Sequence, residues 1–217
     1  MSIVVEHEKR RYEILERSLD IFVDEGFENA TFQKIADKCK ITRTTLYIYF
    51  KNKRDIFNFS IKQLLQILEG DINAIREESG LSNMERLIRV MNVIMERLEE
   101  NHRLLSVVLD YVVFMSKGNA DYDPNNRMRR RTMRLRHIQA TLIIAGIKAG
   151  EFSPSINVKD ANELLYSLIE AAAFRLVVLR RPSVEKLKDA MLQAVKSLAV
   201  QNQVSRSQTA NSQAAKK

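Results

Sequence analysis

The stretch that decides the fold is Ala30-Thr31-Phe32-Gln33-Lys34-Ile35-Ala36-Asp37-Lys38-Cys39-Lys40-Ile41-Thr42-Arg43-Thr44-Thr45-Leu46-Tyr47-Ile48-Tyr49-Phe50. Thr31 stands where a side-chain oxygen caps the start of a helix, and Ile35 and Ala36 give the run to about Lys38 an inward face. Thr42 caps a second short helix ending near Phe50, on which Leu46 and Phe50 sit four apart and face inward. Two short helices joined by a tight turn make a helix-turn-helix pattern. The second helix of such a pair can enter the major groove by its N-terminal end, where free N–H groups and the positive dipole end favour phosphate. Thr42, Arg43, Thr44 and Thr45 can approach and donate there, and Arg43 is the long donor suited to a guanine edge. Tyr47 and Tyr49 offer hydroxyls to phosphates, and Lys53 stands in the first turn of the next helix, placed to meet a phosphate across the groove.

Working outward, Leu15, Leu19, Phe22 and Val23, flanked by Ile14 and Ile21, predict an amphipathic first helix. Gly26 is expected to end it as a left-handed cap, with Phe27 folding back on Phe22 or Val23. Asn52 with Asp55 resembles a capping box and opens a long fourth helix through Ile56, Phe57, Ile61, Leu64, Leu65 and Leu68. Charge follows the same division. Residues 1–30 hold four basic and eight acidic side chains, whereas residues 33–54 hold seven basic ones against Asp37 alone. That local excess points to a phosphate-bearing partner or, more plainly, to a solvated face.

The rest of the 217 residues also reads as helical, since the chain carries only 6 Gly and 3 Pro. Ser82 with Glu85 is a capping box, Leu104 to Met115 is apolar nearly all round, and residues 117–126 form a turn-rich loop. An Arg-rich helix runs to about Ala149, another spans about Val158 to Leu179, and Ser183 caps the last. An all-α fold of about nine helices is therefore expected, with 201–217 a polar, disordered tail. One cysteine, Cys39, excludes an internal disulfide and is read as a small core filler rather than a redox sensor. His7, His102 and His137 are scattered, so no metal site is expected, and no phosphate loop or nucleophile motif supports an enzyme or a cofactor. Glu170 and Arg175 interrupt the most apolar stretch, and the N-terminus lacks a signal-peptide core. A cytoplasmic protein with no membrane partner is expected.

Residues 10–65 resemble the N-terminal DNA-binding domain of the TetR family of bacterial transcriptional regulators. The resemblance is carried by Ile14, Phe22, Gly26-Phe27, Ala30-Thr31, Ile35-Ala36 and the run Ile41 to Asp55, within which Leu46 to Lys53 fits an L-Y-x-Y-F-x-x-K core. Residues 75–200 share only the family's length and all-helical order. The resemblance implies a helix-turn-helix domain over 8–68 (the motif itself about 31–50) and a ligand-binding and dimerisation domain over 69–200. It implies a homodimer on a palindromic operator in double-stranded DNA, released when a small molecule occupies the second domain. Carried over residue by residue, the DNA contacts fall at Thr31, Gln33, Thr42, Arg43, Thr44, Thr45, Tyr47, Tyr49 and Lys53. Lys40 stands at a turn position where the family usually has Gly, which implies an avoided positive φ or a strain of roughly 1 kcal/mol. Thr44 stands where Gly or Ala is frequent, so the operator sequence does not transfer from relatives.

In the second domain, Arg127, Arg129, Arg130, Arg131, Arg134 and Arg136 come with no acid among them. They are read as a solvated face, as a contact to flanking DNA, or as a cavity wall for an anionic, largely apolar inducer. The inducer reading names Arg127, Arg131 and Arg134, one stripe by helical spacing, with Met91, Met95 and Tyr111 as the pocket. The methionines serve equally as core filler. The last two helices are expected to make the dimer surface through Leu164, Leu168, Ala172, Leu187, Met191 and Leu198. The expected function is a ligand-responsive DNA-binding regulator, a repressor. The alternative is a helix-turn-helix interaction module that uses DNA as a scaffold for a protein partner and takes no ligand.

Overall fold

A computed structural model describes residues 3–118, 124–181 and 183–200, with side chains placed except at 3, 4, 112, 114–118 and 124–132. Nine helices follow one another among the described residues: α1 (Ile3–Asn29), α2 (Phe32–Lys38), α3 (Arg43–Tyr49), α4 (Lys53–Glu77), α5 (Asn83–Glu100), α6 (His102–Gly118), α7 (Pro124–Lys148), α8 (Val158–Val177) and α9 (Glu185–Lys196). This is the all-α order the periodicity predicts. The tail expected at 201–217 lies outside the described residues, as do 119–123 of the loop expected at 117–126, while 117–118 and 124–126 belong to α6 and α7.

The apolar faces assemble two cores. Ile14, Phe22, Phe27, Ile35, Leu46, Phe50, Ile56 and Phe57 close the first, and Leu104, Val107 and Tyr111 of α6 join them. Leu68, Ile72, Leu87, Met91, Met95, Ile143, Phe152, Leu165, Ile169 and Met191 are among the residues that fill the second. A boundary at residue 68 therefore falls inside α4, whose 25 residues, about 37 Å long, put Ile56 in one core and Ile72 in the other. Cys39 is buried in the first core, where desolvation pushes its thiol up against the pull of Arg17 and Arg10. That suits the filler reading.

Two local expectations change. Gly26 has φ 78° and ψ 161°, so it kinks α1 rather than capping it, and one more turn reaches Asn29. Phe27 still folds back, its ring 5.6 Å from that of Phe22. At α9 the N-cap is Val184, not Ser183. The Glu99 carboxylate of α5 accepts from Val184 N at 2.7 Å and from the Ser183 hydroxyl at 3.2 Å, and pairs with Lys188 at 2.8 Å. Ser183 Oγ still accepts from Glu185 N at 3.1 Å, so the expected hydroxyl and a distant carboxylate share this helix start.

Candidate nucleic-acid interface

Each helix of the motif starts on a side-chain cap. Thr31 accepts from Lys34 N at 3.2 Å, Thr42 from Thr45 N at 3.0 Å and Asn52 from Asp55 N at 3.0 Å. The Thr42 and Thr45 hydroxyls also bond each other at 2.8 Å. Gln33 donates to Asp37 at 2.8 Å along the exposed side of α2. The turn between the helices contains Lys40 at φ 55°, so this chain takes the positive-φ alternative and carries its strain.

On α3, Leu46 points into the core while Arg43, Thr44, Tyr47 and Ile48 are exposed. Arg43 Nη2 donates to the Tyr47 hydroxyl at 3.1 Å, with the guanidinium 5.6 Å from the ring centroid. The Tyr47 ring in turn rests on Phe32 of α2, with centroids 4.8 Å apart. Phe32, Tyr47 and Arg43 thus form a stack that presets the arginine, a role the sequence reading did not give to Phe32. Its signal was there: Phe32 follows the Thr31 cap on a helix whose other apolar positions face inward. Tyr49 is half-buried and stacks on His7 of α1, with centroids 4.7 Å apart.

Lys53 is half-buried and turned toward α1. Its Nζ donates to the carbonyl oxygens of Phe27 at 2.7 Å, Glu28 at 2.6 Å and Ala30 at 2.9 Å. These carbonyls close the end of α1, where orphan acceptors and the negative dipole end draw a cation. Burial pulls the ammonium below its ordinary value, against the opposing influence of Glu28. Lys53 therefore ties α4 to α1 in this structure. The charge excess is also thinner than its count, because Lys34 pairs with Glu25 at 2.6 Å and Lys38 lies 3.8 Å from Asp20. Lys40, Arg43, Lys51 and Arg54 stay exposed around α3.

Beside the second core a groove of about 920 Å³ opens between α4 and α7. Leu65, Leu68, Leu135 and Ile138 supply apolar lining, with Lys62, Glu69, Arg134 and His137 among its polar residues. Arg134 is well exposed and pairs with Glu69. Arg127 and Arg131 lie outside the described side chains. Met91 and Met95 are fully buried in the second core, where Gln139 Nε2 donates to the Met91 sulfur at 3.0 Å. Tyr111 belongs elsewhere: it packs 4.6 Å from both Phe27 and Phe57 in the first core, because α6 leans on α1. The dimer set divides likewise. Ala172, Leu187, Met191 and Leu198 are buried in the chain's own core and cannot meet a partner, while Leu168 packs partly against that core. Leu164 faces outward with Phe174 and Val178, 53%, 53% and 48% exposed.

Residues 14–58 match the family model described as "Bacterial regulatory proteins, tetR family". The chain is 25% identical over 160 residues to the HTH-type transcriptional repressor KstR2 of Mycolicibacterium smegmatis, covering 74% of each. It is 22% identical over 162 residues to the fatty acid metabolism regulator protein of Bacillus subtilis, covering 73% of this chain and 78% of that one. A TetR transcription regulator from Haloarcula marismortui superposes with a TM-score of 0.73 at 18% identity, over 89% of this chain and all of that one.

Proposed function

We propose that the chain, whose residues 14–58 match the tetR-family model and whose fold is that of a TetR regulator, is a homodimeric TetR-family repressor released from a palindromic operator by a small molecule. The observation that carries this reading is the continuity of α4. One unbroken helix starts at the Lys53 clamp beside α3 and, about three turns on, forms a wall of the groove. A ligand that prefers one α4–α7 spacing shifts the motif by the same helix, and a 100-fold preference is worth about 2.7 kcal/mol. Leu164, Phe174 and Val178 offer the apolar face on α8 for the second copy.

The inducer is proposed to be an apolar molecule with an anionic head, lying on Leu65, Leu68, Leu135 and Ile138 with its head toward Lys62, Arg134 and His137. One relative's name places it in fatty acid metabolism, which agrees with such a molecule. The reading of a scaffold module without a ligand has no observation in its favour. The test is fluorescence anisotropy on a duplex selected from randomised DNA, titrated with a long-chain fatty acid and with its uncharged amide. Release by the acid alone supports the proposal. Release by neither, or by the amide equally, removes the anionic inducer.

A further inference from the structure

The side chain standing furthest from the core on the recognition helix is apolar. At about 100° per residue, Thr44 and Ile48 lie about 160° and 200° round α3 from Leu46. Leu46 is fully buried, so those two define the outermost ridge, and Arg43 and Tyr47 occupy one flank, bonded to each other. Ile48 is 66% exposed, the most exposed large hydrophobic side chain among the described residues. No core or capping role explains an isoleucine there, next to Thr44 at helical spacing and between the exposed cations of the motif.

We propose that Ile48 is a specificity-determining residue that packs on the C5-methyl group of one thymine in each operator half-site. The proposal rests on the DNA-binding reading above and adds to it. An isoleucine has no donor for a phosphate, and a base edge without apolar atoms gains nothing from it. In the major groove the thymine methyl is the apolar group that a base presents, and a hydrophobic side chain reads it by removing both from water. Thr44, one turn earlier, brings its own methyl to the same ridge and leaves the pair able to bracket one base step. Arg43 on the flank would supply the hydrogen-bonded contact and Ile48 the apolar one.

The test uses the full chain and a duplex selected by it from a randomised pool, with thymines exchanged one at a time for deoxyuridine. That exchange deletes the methyl group and leaves every hydrogen-bonding atom in place. One thymine per half-site is expected to cost the wild type about fourfold in affinity when its methyl is removed, the worth of one buried methyl group. Ile48→Ala, which removes the contact in both half-sites, is expected to bind the thymine duplex about sixteenfold more weakly and to be indifferent to deoxyuridine at that position. Ile48→Val, which keeps the branched shape, should fall between, and thermal melts should show all three chains equally folded. If Ile48→Ala keeps wild-type affinity, or still loses the full factor at every deoxyuridine position, Ile48 does not read thymine. Failure to select any preferred sequence would instead sink the DNA-binding reading itself.

Discussion

The ammonium of Lys53 lies 2.7 Å from the carbonyl oxygen of Phe27 and 4.9 Å from the centroid of that residue's ring. One side chain at the start of α4 thus closes the end of α1 by hydrogen bonds and covers its last aromatic by a cation–π contact. Phe27 continues the chain of contacts to Tyr111 of α6, 4.6 Å away. α1, α4 and α6 meet at this cluster, so its integrity bears on the stability of the first core.

Lys53→Ala is expected to lower folding stability by about 1.5–3 kcal/mol, the loss of charge-assisted hydrogen bonds to the carbonyls that end α1. Urea denaturation measures it. The salt slope of DNA binding should keep its wild-type value. A stable variant whose slope falls by about one unit would put the ammonium on a phosphate instead.

Lys40→Gly should stabilise the chain by about 0.5–1 kcal/mol, because φ 55° strains a residue with a Cβ and glycine relieves it at some cost in unfolded-state entropy. Thermal denaturation at fixed salt reads the gain, and a loss would mean the lysine side chain makes a contribution beyond its backbone.

Gly146→Ala should destabilise by about 1–3 kcal/mol. A Cβ at this position would lie 2.2 Å from the Phe152 ring, which is fully buried against the bare backbone. Phe152→Leu in the same chain should recover part of the loss, and a fully additive double variant would refute the contact as the cause.

Glu151 carries a pH prediction. Its carboxylate accepts from Asn83 N at 3.0 Å and Met84 N at 2.9 Å at the start of α5. Burial pushes the carboxyl up, and the Asn83 and Met84 donors outweigh it, leaving it below its ordinary value. A depressed folded value stabilises above the unfolded range near pH ~4.3 and is lost as pH falls through the folded value. Glu151→Gln should therefore cost about 1–2 kcal/mol at neutral pH, and progressively less in acid. An equal deficit at pH ~3 and pH ~7 would assign the loss to shape alone.

The motif was legible because its signals are local. Thr31, Thr42 and Asn52 each cap within three residues of themselves, and Leu46 and Phe50 mark the inward face without reference to any other element. What was not legible depends on partners distant in sequence. Lys53 turns toward α1 because of where α1 ends, some 25 residues earlier. Tyr111 lies on a helix apolar nearly all round, so periodicity could not say which core receives it. For the same reason Ala172 and Leu164 both read as interface on α8, although one is fully buried and the other outward. The Glu99 and Glu151 caps come from other helices or loops, and no sequence spacing announces them.

The central claim is that α3 reads base sequence with Arg43 preset by Tyr47 and Phe32. Its most direct test is anisotropy binding of wild type and Arg43→Ala to the selected duplex, to its single-base variants and to a scrambled duplex. The account predicts a loss of about 1–3 kcal/mol at one guanine per half-site, with preference at that base abolished and scrambled-duplex binding little changed. An equal loss on the selected and scrambled duplexes, with base preference intact, would contradict it.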